Sequence, residues 1–188
     1  NGGSGAPAPG QVATGATATV DATSPTRTGY TFSTWNTTAN GSGTNRAPSS
    51  TFVMPSSDVT LYAQWTAVTY VLSYNDNGGS GSPSNQNSTY LADVTVSATQ
   101  PSRTGYTFTG WNSAANGSGT AYSSGSSFLM PAANVTLYAQ WSADTNAVIY
   151  DDNGGSGGPG TESATASSTV TVSSTAPTRT GYTFGGWI

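Results

Sequence analysis

The sequence predicts a mainly β protein built from tandem copies of one small domain, and three observations carry that reading. First, the string Arg103-Thr-Gly-Tyr-Thr-Phe-Thr-Gly-Trp111 recurs, slightly altered, from Arg27 to Trp35 and from Arg179 to Trp187, 76 residues apart each time. A period that long, kept without slippage, marks repeated units rather than one fold around a single site. Second, the apolar residues between loops alternate with period two, as in strands. Third, no stretch shows a 3.6-residue apolar period, and the density of Gly and Ser disfavours long helices.

In the middle copy, Val68-Thr-Tyr-Val-Leu-Ser-Tyr74 is rich in β-branched and aromatic residues and ends at an Asn/Asp/Gly cluster, so it reads as a first strand. Gly78, Gly79, Gly81 and Pro83 mark a loop from Asn75 to about Ala92. A second strand follows at Val94 to Ala98. The third is Tyr106 to Asn112, where Tyr106 and Phe108 share one face and Trp111 falls out of step. Trp111 either lies on the opposite face or is re-aimed by a bulge at Gly110, the preferred reading. Ala114 to Thr120 reads as a loop, and Phe128-Leu-Met-Pro131 leads by a short turn into Val135-Thr-Leu-Tyr-Ala-Gln-Trp141, the plainest strand of the chain. The expectation is about four strands per copy with at most one short helix. Drawn from first strand to fourth, a complete copy runs over 66–141, with 1–65 lacking its first strand and 142–188 its last; a unit starting at Asn77 fits the period equally well. Only Thr66 and Ala67 separate Trp65 from the next first strand, which predicts closely coupled neighbours in an elongated array. The rings and leucines on repeated strand positions are the expected core: Tyr30, Phe32, Trp35, Leu61, Trp65, Tyr106, Phe108, Trp111, Leu137, Trp141, Phe184 and Trp187.

Charged residues are 6% of the chain against roughly a quarter in ordinary domains, so solubility rests on hydroxyls and amides. Aromatics at 11% argue against disorder. Four arginines and no lysine give no basic surface for phosphates, which makes nucleic acid a poor partner. Without cysteine there is neither disulfide nor thiolate metal site. No apolar run is long enough to span a membrane. The chain opens without methionine and stops inside a copy, as expected of a piece of a longer protein.

Histidine, cysteine and lysine are all missing, which leaves enzyme chemistry only carboxylates, so no catalytic residue is assigned. Asp76, Asp151 and Asp152 offer oxygens to a calcium ion, but their Asn-Gly context is also what a strand exit with positive φ requires. No other cofactor is implied. Tyr62 and Tyr138, beside Trp65 and Trp141, suit stacking on a sugar, yet such rings more often build a core; Tyr138 faces away from Leu137 and is the better candidate for exposure. Arg27, Arg103 and Arg179 can bind a carboxylate of the adjacent copy or pack over a ring.

The series Gly-Tyr-Thr-Phe-Thr-Gly-Trp-Asn112, Asn116-Gly-Ser-Gly-Thr120, Phe128-Leu-Met-Pro131 and Val135 to Trp141, preceded by Tyr74-Asn-Asp-Asn-Gly-Gly79, closely resembles the Listeria-Bacteroides repeat, or B repeat of internalin-type surface proteins. The resemblance spans the whole chain. It implies small β-grasp-like domains, an extracellular, cell-surface or secreted location, and a non-enzymatic role as stalk, spacer or fibre-forming segment of a bacterial surface protein. The alternative is a carbohydrate-binding adhesin module. Expected partners are adjacent repeats, identical neighbouring chains in a filament, and a host or cell-surface glycan or protein.

Overall fold

The structure, a computed structural model, describes all residues 1–188. It contains no helix and fourteen strands: β1 Thr17–Thr19, β2 Tyr30–Asn36, β3 Asn45–Arg46, β4 Thr51–Val53, β5 Tyr62–Ala67, β6 Thr69–Asn75, β7 Gln86–Thr89, β8 Asp93–Thr95, β9 Tyr106–Asn112, β10 Ala121–Tyr122, β11 Ser127–Leu129, β12 Val135–Ala143, β13 Thr145–Val148 and β14 Glu162–Thr165. The protein is therefore mainly β, made of several small sheets. The four strands read from the middle copy are present as β6, β8, β9 and β12, and three more lie between them. The segment expected as a loop after Asn75 contains β7, whose polar Gln-Asn-Ser-Thr has no apolar alternation to announce it; it is a strand because β6 pairs with it from Thr69↔Thr89 to Leu72↔Gln86. Phe128, expected to lead by a short turn into the fourth strand and given no strand of its own, lies on β11 and pairs with Val94.

The chain divides into two compact bodies. The first holds Asn1–Ser73, Ser84–Val96 and Gly125–Thr136. In it β2 lies between β3 and β5, while β1 pairs with β4 and β8 with β11, all antiparallel. The start of β12 is tied to β6 by Ser73 Oγ and Thr136 Oγ1 at 2.9 Å. Ala18, Val20, Trp35, Leu72, Val94, Val96 and Met130 are buried. Removing a side chain such as Leu72 from water contributes about 1.5–3 kcal/mol.

The second body holds Tyr74–Pro83, Ser97–Ser124 and Leu137–Ile188. Here β9 is flanked by β10 and β12, and β13 pairs with β14. Trp111, Leu137 and Ala139 are buried. The β9–β12 ladder pairs Gln140 with Gly110 but Trp141 with Phe108, which leaves Thr109 as an extra residue. That bulge breaks the alternation and turns Trp111 back toward Phe108, with ring centroids 5.2 Å apart. The first copy does the same at Ser33 between Phe32 and Thr34. Gly110 has φ 142, whereas Thr34 occupies the matching position without a positive φ, so the bulge does not itself require glycine.

The expected core is distributed unevenly. Trp35, Trp111 and Leu137 are buried; Tyr30, Phe32, Leu61, Trp65, Tyr106, Phe108, Trp141 and Trp187 are half-buried. Phe184 departs from the expectation at 37% exposed. The sequence stops at Ile188, before any counterpart of β12, the strand that pairs with Phe108 in the middle copy.

Candidate functional site

The most heavily bonded side chains are two asparagines that follow the repeated tryptophan. Asn112, 4% exposed, donates from Nδ2 to the carbonyls of Gly117 and Gly119 at 3.2 and 3.3 Å, and its Oδ1 accepts the amides of Ala114 and Gly119 at 2.9 and 3.0 Å. Asn36 bonds Gly41, Gly43 and Thr38 in the same pattern. Each asparagine thereby closes the Asn-Gly-Ser-Gly loop around itself, and its own buried amide finds its partners in the backbone of that loop. Neither was singled out for such a role from the sequence; the available signal was Trp-Asn recurring ahead of Asn-Gly-Ser-Gly.

The acidic candidates are likewise engaged with their own chain. Asp76 accepts a hydrogen bond from Ser82 Oγ, Asp151 Oδ1 accepts the Asn153 amide at 2.8 Å, and Asp152 Oδ2 accepts the Gly158 amide at 3.3 Å. Asn77 and Asn153 both have φ 48, the conformation Asn tolerates at a tight strand exit. Calcium takes about six to eight oxygens, and no group of three or more His, Cys, Asp or Glu side chains that could hold a metal ion is present. The Asp76 carbonyl instead accepts Trp141 Nε1 at 3.0 Å.

Tyr62 and Tyr138, the sugar-stacking candidates, are half-buried and lie across the ladder from Asn36 and Asn112. An apolar cleft of about 530 Å³ opens in the first body, with Val20, Trp35, Phe52, Met54 and Leu61 among its walls; Tyr62 is not one of them. Tyr74 packs on Trp111 with centroids 4.9 Å apart, and its hydroxyl oxygen accepts the Ser97 amide at 2.8 Å. Burial pushes this phenol above its ordinary range, and the Ser97 hydrogen bond partly offsets the rise.

The Arg-Thr-Gly-Tyr string is a turn. The tyrosine amide donates to the arginine carbonyl at 3.1 Å in all three copies, and Gly29, Gly105 and Gly181 have φ of 75, 75 and 79. Glycine is needed there because the third position of a type II turn requires positive φ. The guanidinium lies over the tyrosine ring, at 3.9 Å for Arg27, 3.8 Å for Arg103 and 4.3 Å for Arg179. Of the two roles open to these arginines, the ring contact is the one present.

In two of the copies this turn also touches the copy that follows. Within the first body, the Gly29 carbonyl accepts the Val68 amide at 3.0 Å, the Val68 carbonyl accepts the Tyr90 amide at 2.9 Å, and the Tyr90 ring stands edge-on to Tyr30 at 5.5 Å. Within the second, Gly105 accepts from Asp144 at 2.9 Å and Asp144 from Ala166 at 2.8 Å. The strands on either side are separated by Val68 alone or Asp144 alone, a shorter joint than the Thr66-Ala67 linker expected, since β5 runs on through Ala67.

A bulged strand, a glycine turn, an asparagine-closed loop and a terminal Gln-Trp strand thus recur as one ordered set. The family model of the Listeria-Bacteroides repeat domain matches residues 1–64, 70–140 and 147–188. This chain belongs to that family. Among curated proteins it is 39% identical over 168 residues to a "Putative Gly-rich membrane protein" of Evansella cellulosilytica, covering 86% of this chain and 19% of that protein. It is also 39% identical over 124 residues to "Internalin H" of Listeria monocytogenes, covering 66% of this chain and 21% of the relative. A "Putative membrane protein" of Evansella cellulosilytica is 38% identical over 99 residues, covering 51% of this chain and 15% of that protein. The repeat region thus spans about a fifth or less of the curated relatives it matches. No solved structure matches the chain.

Proposed function

We propose that the chain is a non-enzymatic stalk or spacer segment of a bacterial cell-surface protein, with copies bounded at 1–65, 66–141 and 142–188. The observation that carries this reading is where the polar side chains point. Asn36, Asn112, Asp76, Asp151 and Asp152 each bond atoms of their own loops, and Asn77 donates to the carbonyls of Ala115 and Ala139, so the polar chemistry of the chain is spent on holding its shape. Membership of the repeat family and the likeness to an internalin and to two proteins named as membrane proteins support a place at the cell surface.

Single-molecule stretching combined with a glycan array tests the proposal. A spacer unfolds in discrete force steps, gaining about 3.6 Å of contour per released residue, and shows no saturable glycan binding. The second reading, a carbohydrate-binding module, rests on the half-exposed rings of Tyr62 and Tyr138. Saturable binding that disappears in Tyr62→Ala or Tyr138→Ala replaces the spacer reading with it, and extension without force steps rejects the spacer outright.

A further inference from the structure

We propose that the glycine of each Arg-Thr-Gly-Tyr turn is a docking surface for the repeat that follows, and that the residue seated on it sets how firmly the two are coupled. The occupant is the next copy of the same chain, presenting one extended residue and one side chain. At Gly29 these are Val68 and Tyr90; at Gly105 they are Asp144 and Ala166. Both turns accept a hydrogen bond from the next copy through the glycine carbonyl, and the donating residue's own carbonyl then takes the amide of the seated residue. The same two-bond relay, 76 residues apart, is the mark of a built interface.

Glycine has two separate duties in this turn. Its positive φ recurs at Gly29, Gly105 and Gly181. Its lack of a side chain makes room for the seated residue: a Cβ on Gly29 would overlap the Tyr90 ring, and one on Gly105 would come within 2.8 Å of the Ala166 Cβ. The two occupied seats also differ in how they are locked. Tyr90 adds an edge-on ring contact to Tyr30; Ala166 has no ring, and Thr107 Oγ1 donates to Asp144 Oδ1 at 2.7 Å instead.

This deepens the spacer reading by naming the surface that would couple its copies. Amide exchange reads the seat alone, so its outcome is distinguishable from that of the stretching experiment. Asparagine tolerates positive φ, so Gly→Asn adds a side chain with little backbone strain. In Gly29→Asn the Val68 and Tyr90 amides are expected to exchange about tenfold faster or more, with the β2–β5 ladder still protected. Gly181→Asn, with the same φ and open space, leaves exchange unchanged. In the opposite direction, Ala166→Tyr places a ring on Gly105 and slows exchange at Asp144 and Ala166 by about threefold or more. Equal effects of the two asparagine substitutions, or none from Gly29→Asn, overturn the proposal. If Gly29→Asn unfolds the first body, Ala166→Tyr decides alone, and unchanged or faster exchange at Asp144 refutes the docking role.

Discussion

Replacing Asn112 by alanine and by aspartate separates what its two ends do. Alanine removes two accepted and two donated hydrogen bonds from a side chain that is 4% exposed. Each such bond is worth about 1 kcal/mol net, and a group left buried and unpaired costs about 1–3 kcal/mol. The loop from Ser113 to Thr120 lies mostly at the surface, so water recovers part of that loss. Asn112→Ala is therefore expected to cost about 2–4 kcal/mol. Asn112→Asp keeps the acceptor for Ala114 and Gly119 but aims a second oxygen at the carbonyls of Gly117 and Gly119, so its ionised form is repelled. Burial and that repulsion raise the folded-state pKa of the introduced carboxyl above its unfolded value of about 3.9. The stability of this variant is accordingly greatest below the unfolded pKa, where the protonated acid donates as the amide did, and falls as pH rises through the folded pKa. Urea denaturation from pH 3 to pH 7, referenced to the unsubstituted chain, measures both effects. A cost under about 0.5 kcal/mol for alanine, or an aspartate variant whose deficit ignores pH, would falsify the loop-closing role.

Two further perturbations each test one hydrogen bond. Tyr74 has a raised phenol pKa, so its contribution is complete below the unfolded value of about 10 and is lost as pH rises through the folded pKa. Alkaline denaturation followed at 295 nm should show Tyr74→Phe less stable at neutral pH by about 1 kcal/mol, through the lost Ser97 bond, and less sensitive to pH above 10. Trp141 Nε1 donates to the Asp76 carbonyl at 3.0 Å. Trp141→Phe should therefore cost at least about 1 kcal/mol in thermal or urea unfolding, and unchanged stability would show that the bond contributes nothing.

How much of this was legible in the sequence depended on whether a feature is local. The strand Tyr106 to Asn112 was placed to the residue, and a bulge was expected at Gly110, because the period-two alternation and its break lie within seven residues. The polar strand β7 was read as loop because a strand made of Gln, Asn, Ser and Thr carries no pattern of its own; β6 supplies its order. Asn112 sat in plain view as one more amide in an amide-rich chain, and only the folded loop shows it bonded to both sides of the same turn.

By itself, the sequence determined that the chain is a repeat, that its units are mainly β, and which family they belong to, because periodicity, alternation and turn chemistry are written in the order of residues. It also showed the Arg-Thr-Gly-Tyr turn three times over. Tertiary structure alone decided that the turns at Gly29 and Gly105 carry the next copy. Gly29 and Tyr90 lie 61 positions apart, and no local pattern says that one is the seat of the other.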